Sequence, residues 1–154
     1  MARYGAGVTN RAGINTADSA YFQLRPTTTA ARLYVVQIVI AVLTAPSNAV
    51  QPYLVRSTAV GTNTATIAGL PFDGADGAAI GTLDSTWSAA PTFTAANKLS
   101  VGAMAVTAGG GWIWDLRDRP IVIDRVTSTG LVLANAAASG ATLGAFSASF
   151  IWDE

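Results

Sequence analysis

Phe146, Ala148, Phe150 and Trp152 occupy alternate positions near the end of the chain, with Ala145, Ser147, Ser149 and Ile151 between them. Period-two alternation is the signature of a strand with one buried face, so the aromatic set should enter a core and leave a small, smooth face opposite. Leu33 to Leu43 is apolar at both parities apart from Gln37: Tyr34, Val36, Ile38 and Ile40 on one side, Leu33, Val35, Val39 and Ala41 on the other. A strand of that kind is covered on both faces, by its own chain or by a neighbouring subunit. Further β-branched and aromatic runs predict strands at Tyr21–Arg25, Gln51–Ala59, Thr64–Ala68, Leu99–Thr107, Trp112–Leu116, Ile121–Ile123 and Gly130–Ala134, with the final strand running Ala141–Trp152. No segment carries a helical stripe.

About eight strands in one domain predict an all-β antiparallel sandwich, of jelly-roll type. Ala45-Pro46-Ser47-Asn48, Gly109-Gly110-Gly111 and Ser139-Gly140 read as connections between antiparallel strands. Two regions stand apart from the sandwich body at 17–154. Residues 1–16 hold little apolar area and predict an extended N-terminal arm, either disordered or laid along another subunit. Residues 69–97 carry Pro71, Pro91 and scattered apolar side chains without a period, predicting a long loop excursion with a helical turn near Ala78–Leu83.

Composition narrows the function. The chain of 154 residues has no Cys, no His and a single lysine, Lys98. Most chemistry at neutral pH uses an imidazole, a thiolate or a tuned lysine, so the composition points away from an enzyme. Nine basic residues balance nine acidic ones and only 12% of residues are charged, against about 25% in an average soluble domain. That balance excludes the basic surface nucleic-acid binding requires, and a weakly charged surface favours association. The lack of cysteine is compatible with synthesis in a reducing cytoplasm. Met1–Asn10 is too polar for a secretory signal, and Leu33–Ala45 is too short to span a membrane.

The candidate chemistry is thin. Asp73-Gly74-Ala75-Asp76-Gly77 has too few acidic oxygens for a calcium loop and reads as a turn. Asp115, Asp118 and Asp124 each have an arginine within two positions in sequence, which favours ion pairs over the paired carboxylates of a glycosidase. The glycine triplet lacks a phosphate-loop tail, and neither a catalytic triad nor a nucleophile elbow can be assembled. Trp87, Trp112, Trp114 and Trp152 could form a sugar-stacking platform, although core packing is the simpler reading. No catalytic, cofactor or metal residue is assigned. Arg3, Tyr4, Arg11, Trp87, Arg117, Asp118 and Arg119 are the candidate interface residues.

Met1-Ala2-Arg3-Tyr4, the apolar strand after Arg32, Trp112-x-Trp114 before Pro120-Ile121-Val122-Ile123, Gly130-Leu131-Val132-Leu133 and the ending Phe150-Ile151-Trp152-Asp153-Glu154 together resemble small virion proteins of tailed bacteriophages, of the head decoration or cement type. The resemblance implies a jelly-roll-like structural protein on the virion head surface, made in the cytoplasm of the host bacterium. It further implies the major capsid protein as partner, a homo-oligomer (trimer favoured), no cofactor, and no nucleic-acid or membrane partner. A carbohydrate-binding or host-attachment module of a tail or fibre is the alternative.

Overall fold

The structure, a computed structural model, describes residues 1–12, 17–45, 51–103, 108–136 and 145–154, with the backbone alone for Asn10 and Arg11. The described residues form twelve strands and no helix: β1 (Arg3–Arg11), β2 (Ser19–Pro26), β3 (Leu33–Val42), β4 (Pro52–Ala59), β5 (Thr62–Ala68), β6 (Leu70–Pro71), β7 (Gly81–Ala89), β8 (Thr92–Val101), β9 (Gly111–Asp115), β10 (Ile121–Ile123), β11 (Leu131–Asn135) and β12 (Phe146–Asp153). They build two antiparallel sheets facing each other. Sheet A runs β10-β3-β12-β1-β6, with β9 continuing the β10 edge of β3, and sheet B runs β5-β7-β2-β11-β4-β8.

The pairing is nested along the chain. β1 pairs β12, β2 pairs β11, β3 pairs β9 and β10, and β4 pairs β8. The β3–β12 and β4–β11 ladders then join these pairs into sheets. The core fills the space between them. Its largest fully buried side chains include Trp152, Phe22, Phe150, Leu24, Leu33 and Ile38. Phe146, Ala148, Phe150 and Trp152 all face inward as their alternation predicts. Trp152 fixes one end of the sandwich. Its ring lies so close to Gly69 and Gly81 that a Cβ at either would collide with it, and its Nε1–H donates to Glu154 at 2.8 Å. The Glu154 carboxylate in turn accepts from the Ile80 and Gly81 N–H groups.

Several expectations are corrected. Twelve strands replace about eight. The N-terminal arm is instead strand β1, seated between β12 and β6 with Tyr4 and Ala6 in the core; the alternation of Tyr4, Ala6 and Val8 supplies the buried face, while glycine and threonine diluted its apolar signal. The long loop excursion at 69–97 contains β6, β7 and the first half of β8, and Ala78–Leu83 is extended chain entering β7 with no helical turn. β7 hid because its buried positions include Thr82, Asp84 and Ser85. The Gly109–Gly111 connection joins β8 of sheet B to β9 of sheet A, so it is a crossing between layers and not a hairpin. Gly109 serves it with a φ of +83°. The strands flanking the two other expected turns, β3 and β4, then β11 and β12, also lie in opposite sheets. Residues 13–16, 46–50, 104–107 and 137–144, on which parts of these expectations fall, lie outside the described residues.

β3 departs from strict alternation. A register shift opposite Ile151 and Trp152 leaves Val36 unpaired by β12, so Leu33, Val35, Ile38, Ile40 and Val42 all reach the core while Tyr34, Gln37, Val39 and Ala41 face outward. The outward set is half-buried.

Candidate functional site

The outer face of sheet A is the candidate interface, and strand register assembles it row by row. Leu70, Gly5, Ile151, Gln37 and Asp115 lie side by side across β6, β1, β12, β3 and β9. Gly7, Ser149, Val39 and Ile113 form the next row, followed by Ser147, Ala41 and Gly111. At the other end lie Arg3, Asp153, Tyr34 and Val122. Small residues at the middle of each row keep the face flat, and a shallow trough of about 210 Å³ runs between Gly7, Thr9, Val39, Ala41, Ser147 and Ser149. Large apolar side chains stand at both margins. Leu70 is 71% exposed and Phe72, which lies over Gly5, is 65% exposed, while Ile113 on the far edge is 59% exposed. Isolated exposed leucines are ordinary, but apolar margins flanking a smooth apolar sheet form one contiguous patch.

Charge sits at one end of this face. Arg3 grips Asp153 with two hydrogen bonds, Nε to Oδ1 at 2.7 Å and Nη2 to Oδ2 at 3.0 Å. The hydrogen bonds and charge of Asp153 raise the Arg3 pKa further. Arg117 holds Asp115 with a second forked pair, Nε to Oδ1 at 2.8 Å together with Nη2 to Oδ2. These hydrogen bonds draw the Asp115 carboxyl down to about 2. Arg117 lies near enough to Arg3 to repel it. Both arginines keep their forks fixed by a carboxylate while much of each side chain faces solvent, an arrangement that adds little to the stability of the fold.

The seven predicted interface residues therefore divide. Arg3 and Arg117 share the charged end of the outer face. Asp118 and Arg119 are exposed in the β9–β10 loop beside them, closed by the Arg119 N–H donating to the Leu116 carbonyl at 3.1 Å. Tyr4 does not belong to the surface. It is 4% exposed, stacks on Trp152 at 6.3 Å between centroids and reaches the Gly77 carbonyl through its hydroxyl. Burial, then the charges of Glu154 and Asp76, raise its pKa. Arg11 closes β1 opposite Phe146. Trp87 lies on the other sheet. The exposed Leu70, Phe72 and Ile113 escaped the sequence reading, and only their apolar character next to turn residues could have marked them.

The outer face of sheet B is built differently. Ala20, Tyr53, Val55, Val132 and Ala134 form a second apolar cluster there, packed against Trp87 and Phe93. The Tyr53 hydroxyl donates to Asp18 Oδ1 at 2.8 Å, and Lys98 Nζ sits 4.6 Å from the Tyr53 ring centroid. Burial, reinforced by Asp18, pushes the Tyr53 pKa far upward. The other tryptophans are core or margin residues. Trp152 is fully buried, and Trp114 donates to Ser100 Oγ at 2.9 Å and meets Trp112 edge-on. Asp73 closes its loop by accepting from the Ala75 N–H at 3.0 Å. Among the described residues no group of three His, Cys, Asp or Glu side chains is placed to hold a metal ion. Compared with protein-family models, curated proteins and solved structures, the chain finds no match.

Proposed function

We propose that this chain is a structural virion protein of a tailed bacteriophage that binds the outer surface of the capsid through the outer face of sheet A and stabilises the head. The observation that carries the reading is the flat, small-residue outer face of sheet A, bordered by Leu70, Phe72 and Ile113 and ended by the Arg3–Asp153 and Asp115–Arg117 pairs. The nested pairing of β1 with β12, β2 with β11, β3 with β9 and β10, and β4 with β8 supports a jelly roll, in which a folded-over chain is rolled into two sheets. In this reading β5, β6 and β7 are an insertion that widens both sheets.

Magnitudes define how such a face would work. Five strands at about 4.8 Å spacing and four side-chain rows give a footprint of roughly 600 Å², so one contact buries about 1,200 Å² in total, the lower limit for a stable interface. A single copy binds weakly. Self-association, with a trimer as the form the decoration-protein resemblance implies, would join several such contacts and raise avidity by orders of magnitude. The major capsid protein is the proposed partner. Electron cryomicroscopy of heads prepared without this protein and then incubated with it tests the proposal: added density at regular positions on the head exterior supports it, and bare heads, or density confined to tails, overturn it.

A further inference from the structure

A second site lies on the opposite sheet. Where the chain enters β2, Asp18, Ser19 and Ala20 face Thr86, Trp87, Ala90, Pro91 and Phe93 of the β7–β8 turn across a cleft of about 360 Å³. Asp18 has a φ of +56°, the one left-handed conformation held by a residue other than glycine among the described residues. Aspartate tolerates that region better than most residues, yet strain of this kind persists only where the surroundings fix it. Here they do, because the Asp18 N–H donates to the Asn135 carbonyl at 2.6 Å and its Oδ1 accepts from the buried Tyr53 hydroxyl at 2.8 Å. The exposed carboxylate is thereby braced from beneath through Oδ1, and among the described residues Oδ2 accepts no hydrogen bond. Trp87 and Phe93 supply half-buried aromatic rings on the facing wall.

The chemistry of this cleft selects among ligands. A fixed carboxylate, with no cation among the described residues lining the cleft, disfavours anions. The flat aromatic wall of Trp87 and Phe93 beside a fixed hydrogen-bond acceptor suits a small neutral molecule with a flat apolar face and a rim of hydroxyl donors, which is the surface pattern of a pyranose. The volume, near the small end of the roughly 300–1,000 Å³ range of ligand sites, admits one sugar ring. We propose that this cleft binds a single neutral pyranose of a glycan, its C–H face against Trp87 and Phe93 and a hydroxyl donating to Asp18. The site lies on sheet B and does not depend on the head-binding reading, so either can fail alone.

Saturation-transfer NMR on the intact protein tests this, using the methyl glycosides of glucose, galactose, mannose and N-acetylglucosamine, with choline chloride and inorganic phosphate as counter-probes. At ordinary ligand efficiency a monosaccharide reaches a dissociation constant of about 1 mM, and at least one glycoside should do so. Asp18→Asn keeps a side chain that accepts the left-handed backbone while removing the charge, and should weaken binding about tenfold. Ala90→Arg, at an exposed position, should abolish binding by filling the cleft while the circular dichroism and melting temperature stay those of the wild type. The proposal is overturned by no transfer to any glycoside at about 20 mM, by binding that neither substitution changes, or by choline or phosphate binding more tightly than every sugar.

Discussion

The two outer faces of the sandwich are built from different residues and meet opposite fates. On sheet B the chain covers itself: Val55, Val132 and Tyr53 point away from the central core and are nonetheless fully buried, because Trp87 and Phe93 pack against them. On sheet A the equivalent positions, Gly7, Val39, Ala41 and Ser149, have no such cover among the described residues and line an open trough. An apolar face of large side chains must be hidden for the monomer to remain soluble, whereas one of glycine, alanine and serine presents little hydrophobic area per residue and can wait for a partner. Sheet B's outer face thus contributes to folding, and sheet A's lies open among the described residues.

Removing residues 1–11 should have the largest effect. It would take β1 from the interior of sheet A, along with Tyr4 and Ala6 from the core, so circular dichroism should report loss of the folded state. A truncated protein that melts like the wild type would return this segment to the role of a dispensable arm. Val132→Asp, on the covered face, should cost several kcal/mol by burying an unpaired charge. Ser149→Arg, on the open face, should stay within about 0.5 kcal/mol. Thermal melts of the two variants that coincide would erase the distinction between the faces.

A third test concerns the polar edge of the covered face. Asp84 is fully buried, its Oδ2 accepting from Arg25 Nε at 2.6 Å, and its Oδ1 has no hydrogen-bond partner among the described residues. Burial raises its pKa, and Arg25 opposes the rise. Because the folded state holds this proton more tightly than the unfolded chain, the stabilisation from protonating Asp84 is fully present below about pH 4 and is lost as pH rises through the folded pKa. Arg25→Met removes the compensating charge, so it should cost about 3 kcal/mol at pH 7 and markedly less near pH 4. Urea melts at the two pH values check this, and an equal cost at both would contradict it. The smallest effect belongs to the open face. Asp115, lowered to about 2 by Arg117, adds stability above pH 4 that is lost as pH falls toward 2. Asp115→Asn should slightly lower stability at neutral pH and leave it unchanged near pH 2, flattening acid unfolding in that window, which acid titration followed by tryptophan fluorescence would show.

What the sequence made legible follows from what each strand buries. β12 could be read because its inward residues are aromatic and its outward ones small, and β10 and β11 because they are runs of valine, isoleucine and leucine. β1 could not, since tyrosine and alanine at alternate positions among glycines become core residues only once Trp152 stands beside them. β7 defeated the pattern by burying Asp84 and Ser85, whose partners are distant in sequence. The bulge at Val36 reversed half of β3, a change of facing that composition does not encode. The same limits apply to the site. Ser147, Ser149 and Ile151 were visible as a smooth face, but their alignment with Gly5, Gly7, Val39 and Ala41 depends on pairing between the two ends of the chain. Trp87 was among the candidate interface residues, though its neighbours Asp18, just before β2, and Phe93, on β8, are brought beside it only by the pairing of sheet B.

Thermal melting of heads prepared without this protein, with wild-type or Ser149→Arg protein added back, tests the central claim most directly. Wild type should raise the melting temperature of the heads, whereas Ser149→Arg, itself folded and as stable as wild type, should leave it unchanged. Stabilisation by Ser149→Arg equal to that by wild type would contradict the assignment of sheet A's outer face as the surface that meets the capsid.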